Sequence, residues 1–94
     1  MSEIAVERDS DTGDDPMRFD VVVRDEGSST EHEVRVRGSD LERLGAGRSP
    51  EAFVRACFEF LLEREPKESI LRTFDVGVIG TYFPEFEREI SRRP

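Results

Sequence analysis

The chain has no tryptophan, one lysine (Lys67), one histidine (His32), one tyrosine (Tyr82) and one cysteine (Cys57). A lone cysteine rules out an intramolecular disulfide and suits a reducing compartment, so a cytoplasmic location is expected. One imidazole and one thiol do not make up the ligand sets that hold zinc, and no metal or other cofactor is expected. No apolar run approaches the ~18 residues that would suggest a membrane span. The N-terminus lacks a basic segment followed by an apolar one, so neither a secretory signal nor membrane association is expected. Residues 45–50 (GAGRSP) come before a helix start, as an anion loop would. They lack the strand, the lysine and the spacing of a phosphate loop, and read as a plain connector.

Acid is what the sequence has in excess. The net charge is −8 over 94 residues. Residues 1–15 hold Glu3, Glu7, Asp9, Asp11, Asp14 and Asp15 against Arg8, which accounts for five of those charges. With so little apolar content, residues 1–16 are expected to be a disordered acidic tail. Residues 17–94 are then a single small α+β domain, a size that buries only about 60–65% of its unfolded surface.

The most strongly patterned stretch is residues 49–65 (SPEAFVRACFEFLLERE). Ser49 can cap a helix, Pro50 fits its first position, and Pro66 stops it. At 100° per residue, Phe53, Val54, Cys57, Phe58, Phe60, Leu61 and Leu62 spread over roughly 200°, twice the stripe an ordinary surface helix needs. Such a helix has to be covered on two sides.

Upstream, residues 17–25 (MRFDVVVRD) and 32–37 (HEVRVR) alternate with period 2 and predict an antiparallel hairpin across a turn at 26–30. Ser39 and Glu42 have capping-box spacing for a short helix. Downstream, residues 67–72 predict a short helix with Ile70 and Leu71 inward. Residues 74–83 could be strand or helix. The i, i+3, i+7 spacing of Val76, Ile79 and Phe83 favours helix, and Asp75 is a good cap. Phe86 and Ile90 anchor a last turn at 85–91. The fold expected is a hairpin packed on a central helix, with short C-terminal helices behind it.

Little in this pattern points to catalysis. Cys57 lies mid-arc among apolar side chains and reads as packing. His32 lies between Glu31 and Glu33 and reads as a surface histidine. Glu63, Glu65, Glu68, Glu85, Glu87 and Glu89 sit among Arg64, Lys67, Arg88 and Arg92, as on a paired, solvated surface. Neither an enzyme activity nor a small-molecule substrate is expected.

Two features suggest binding instead. Strand alternation puts Arg18, Arg24, Arg35 and Arg37 on the hairpin face away from the core, beside Val22, where they could contact an anion or an acidic partner. Asp20 and Glu33 are available there to neutralise them. In addition, a two-stranded sheet has two open edges and the helix has apolar flank to spare. Val22, Phe58 and Leu62 are therefore candidates for an association surface. The hairpin followed by a helix opening Ser49-Pro50-Glu51-Ala52 resembles the small HicB-like antitoxin domains over residues 17–65, without the additional strands of that fold. The expected role is that of a non-enzymatic module binding protein, itself or another. The alternative is an antitoxin-like regulator contacting nucleic acid through the arginine face.

Overall fold

The computed structural model describes residues 2–9 and 15–93. It is an α+β fold in which the main helix is clamped between a four-stranded sheet and the C-terminal segment. The sheet has the order β1 (Glu3–Asp9), β2 (Met17–Asp25), β3 (Ser28–Val36) and β4 (Thr73–Asp75). The first three strands are antiparallel, and β4 joins β3 in parallel. Among the described residues, α1 (Gly38–Leu44) and α2 (Pro50–Leu62) lie between β3 and β4, and α3 (Ile79–Tyr82) and α4 (Phe86–Arg92) come after β4.

The hairpin forms as its alternation requires. Met17, Phe19, Val21, Val23, Val34 and Val36 are buried, while Arg18, Asp20 and Arg24 face solvent. The connection is tighter than the 26–30 turn expected, because Asp25 still pairs with Ser28. Glu26 (φ 51°) and Gly27 (φ 78°) both take left-handed backbone, as a two-residue hairpin turn compatible with strand twist requires.

Helix α2 begins as read, with the Ser49 hydroxyl accepting from the Ala52 N–H at 3.2 Å and Pro50 in the first turn. It ends at Leu62, short of residue 65. The amides of Arg64 and Glu65 both fold back onto the Leu61 carbonyl, and Glu65 is held out of the helix by Pro66. The two apolar flanks have different partners. Phe58 meets His32 and Phe74 on the sheet side, at ring separations of 5.3 and 5.9 Å. Phe60 meets Phe83 and Phe86 on the other side, at 5.9 and 5.1 Å, both edge-on. The Arg64 guanidinium lies 3.6 Å above the Phe60 ring and reaches Glu85 (3.1 Å) and Glu89 (2.7 Å). Arg48 donates to the carbonyls of Ile90 and Arg93 at the end of α4, where a cation complements the helix dipole.

Several expectations are corrected. Residues 3–9 of the expected tail form β1, because Ile4 and Val6 alternate with the exposed Glu3, Ala5 and Glu7, and two half-buried apolar residues suffice for a strand that can pair with β2. Residues 10–14 lie outside the described residues. Residues 74–83 are not one helix. Phe74 pairs with Val34 in β4, a 3₁₀ turn (Val76–Val78) follows, and α3 holds only Ile79–Tyr82. The Asp75 carboxylate does cap, accepting from the Gly77 N–H at 3.0 Å. The capping box does not form: α1 starts at Gly38, whose N–H donates to Asp15 at 3.0 Å. Residues 67–72 yield one 3₁₀ turn (Lys67–Ser69), with Ile70 buried and Leu71 48% exposed.

Two predictions follow from this packing. Phe60→Ala should cost about 3–5 kcal/mol in urea denaturation followed by circular dichroism, a large share of a small domain's stability. Glu26→Asn should instead raise stability by up to about 1 kcal/mol, because asparagine adopts left-handed backbone more readily.

Candidate functional site: the free sheet edge

β1 is an edge strand. It pairs with β2 on one side, and no strand among the described residues pairs with the other. Its side chains alternate between two environments. Glu3, Ala5 and Glu7 stand on the outer face of the sheet, opposite Arg24, Val22 and Asp20. Ile4 and Val6 point inward, opposite Val23 and Val21, and pack half-buried against the core. Arg55 of α2 donates to the Ile4 carbonyl and so ties helix to strand. Between β1 and the end of α2 runs an open groove of about 520 Å³, lined by Ser2, Ile4, Glu59, Leu62, Glu63 and Arg93. The Arg93 guanidinium beside Glu63 holds that carboxyl below the usual carboxylate range.

Of the association residues read from the sequence, Val22 and Leu62 border this edge from opposite sides. Val22 is half-buried beside Ala5 on the outer face, and Leu62 lies half-buried in the groove. Phe58 is a correction. It is fully buried between His32 and Phe74, because β4 covers the flank that a two-stranded sheet would have left open.

Arg18, Arg24 and Arg35 do share the outer face, with Arg37 immediately after β3, but each has an acid nearby. Arg18 lies 3.7 Å from Glu33, and Arg37 lies 3.2 Å from Asp75. Arg24 is opposite Glu3, and Arg35 is opposite Asp75. On the hairpin alone these four arginines would outnumber Asp20, Glu31 and Glu33. β1 and β4 add Glu3, Glu7, Asp9 and Asp75 to the same face, which turns the balance acidic.

His32 is not a surface residue, which corrects that expectation. It occupies a core-facing position opposite Val21 and is 4% exposed. Its Nδ1 lies 2.8 Å from the Leu71 carbonyl, and its Nε2 lies 2.8 Å from the Thr30 hydroxyl, so it pins the approach to β4. Lys67, expected on the solvated surface, is also buried. Its ammonium donates to Asp25 (3.1 Å) and Glu68 (2.8 Å). Its hydrogen bond, aided by one from Ser2, holds the Asp25 carboxyl below its ordinary value. Cys57 is buried, and burial pushes its thiol up, away from the reactive thiolate. The acids around Arg64 lie in an ion-paired cluster with no contrast of environment to separate an acid from a base.

Among the described residues, no three His, Cys, Asp or Glu side chains converge as metal ligands. No helix there is long and apolar enough to cross a membrane. An apolar cleft beside Leu71, Val78 and Tyr82 encloses about 30 Å³, room for a water or two, where a drug-sized ligand takes ~300 Å³ or more.

Because the Asp25 carboxyl is held low in the folded chain, its contribution is present above the unfolded value near 4 and is lost as pH falls through that range. Asp25→Asn should therefore flatten the fall in melting temperature between about pH 5 and pH 2; curves parallel to the wild type would show that this pair carries no linkage. No protein-family model, curated protein or solved structure matches this chain.

Proposed function

We propose that this chain is a non-enzymatic, cytoplasmic binding module that recognises another polypeptide by accepting an extended strand along the free edge of β1. The observation carrying this reading is the edge itself. Seven residues, Glu3–Asp9, are in strand conformation, and no strand among the described residues pairs with the side away from β2. Edges of that length attract pairing unless they are blunted, and strand addition is a recurrent mode of peptide recognition. Proline, a bulge, a covering helix or charge blunts such an edge; β1 contains no proline, Arg55 covers a single carbonyl, and the strand's charges, Glu3, Glu7, Arg8 and Asp9, blunt it selectively, against partners of like charge. The opposite edge is a poorer candidate, since β4 has only three residues.

The surroundings suit such a role. Val22 and Ala5 on one side, and Ile4 and Leu62 on the other, offer apolar contact to alternate side chains of an incoming strand. Backbone hydrogen bonds would supply affinity, and these flanks would supply selectivity.

Val6→Lys, which places a charge in the half-buried inner row of the edge strand, tests the reading. The wild-type chain should retain a partner in affinity capture from its own cell extract that the folded variant loses. Equal retention by both would place the binding surface elsewhere.

A further inference from the structure

We infer that the strand accepted by β1 is a basic, alternating segment of a different protein and not a second copy of this chain. This rests on the β1 edge being the binding surface, as proposed above.

The argument comes from register and charge. Two copies joined edge to edge about a two-fold axis must pair antiparallel, with residues of one face opposite residues of the same face. Centred on Val6, that sets Glu3 opposite Asp9. Centred on Ala5, it sets Glu3 opposite Glu7; centred on Glu7, that residue faces its own copy. Every such register pairing five or more residues of β1 therefore opposes acids, and like charges directly across a ladder are destabilising. The edge is blunted against itself.

The same charges select a partner. Glu3 and Glu7 lie on one face of the strand; Glu3 faces Arg24 and Glu7 faces Asp20 in β2, and neither is in an ion pair among the described residues. Glu59 and Glu63 rim the groove on the other side, where Glu63 is already matched by Arg93 and Glu59 leaves the rim acidic. Ile4 and Leu62 form an apolar floor there. A complementary strand would carry lysine or arginine on one face, reaching Glu3 and Glu7 while a cation's aliphatic stem lies over Ala5 and Val22 between them, and apolar residues on the other face to meet Ile4, Val6 and Leu62. Its ladder would extend the sheet, and its cations would neutralise the acids left unmatched.

The probe is a fluorescent, end-blocked eight-residue peptide alternating lysine and valine, titrated against the full chain by anisotropy. A glutamate–valine peptide and two backbone N-methylated lysine–valine peptides, methylated in opposite alternate frames, serve as comparisons. An added strand turns only one set of its N–H groups toward the edge. One methylated frame should therefore bind like the parent and the other should lose binding tenfold or more. Glu3→Lys with Glu7→Lys should weaken the parent peptide at least tenfold. Glu31→Lys with Glu42→Lys, the same charge change away from the edge, should weaken it only slightly.

Equal binding of the two methylated frames would reduce the interaction to surface electrostatics and overturn the inference. So would a dimer seen by light scattering and abolished by Val6→Lys, or preference for the glutamate peptide, yet both would leave the edge standing as a binding surface. No peptide binding, alongside an extract partner that Val6→Lys loses, would overturn the basic-partner inference alone. Failure of both experiments would remove the edge itself.

Discussion

The fold depends on burying both flanks of one helix. α2 carries too much apolar surface to lie on a sheet with its back to water, so it becomes the middle layer of a three-layer domain. Phe58 faces the sheet through His32 and Phe74, and Phe60 faces the C-terminal segment through Phe83 and Phe86. The two phenylalanines are two residues apart, so a helix points them about 200° apart. Each flank thereby enlists a different part of the chain. The polar contacts then lock the layers together: Arg64 ties α2 to α4 through Glu85 and Glu89, and Lys67 ties the following turn to the hairpin through Asp25.

This constraint also explains where the sheet ends. The core of the domain takes up β2, β3 and the parallel β4, and β1 is added at the margin. Its inward residues are only half-buried, and one arginine links it to the helix. A strand held on one side and only partly covered is a different object from the buried strands. Its apolar inner row, Ile4 and Val6, keeps it attached to the core. The interpretation as a binding edge grows from that combination, and none of it requires a catalytic group.

The sequence reading succeeded where one element determined its own form. The alternation of 17–25, the proline and serine around 50, and the apolar arc of α2 were each sufficient without knowledge of neighbours. It failed where tertiary partners decided. Residues 3–9 have only Ile4 and Val6 as strand signal amid acids, and what makes them a strand is the open edge of β2. Thr73–Asp75 is too short for periodicity to register, and it pairs because the Arg72 carbonyl accepts from the Glu33 N–H at 2.7 Å. His32 and Lys67 looked exposed by residue type, yet each is buried because a distant carbonyl or carboxylate matches it. Of the edge's flanks, Val22 and Leu62 were legible from alternation and helix phase. The edge itself was not, since β1 was not recognised as a strand. The arginine face and its offsetting acids Asp20 and Glu33 are legible in the alternation, while the further acids on that face, Glu3, Glu7, Asp9 and Asp75, come from the two strands that are not.

Native-state hydrogen exchange tests the clamped helix most directly. If both flanks of α2 are held as described, its central amides, residues 54–61, should exchange only through global unfolding, together with the amides of β2 and β3, while those of β1 open at a distinctly lower free energy. Exchange of the α2 amides through a separate, lower-energy opening that leaves β2 and β3 protected would contradict the account.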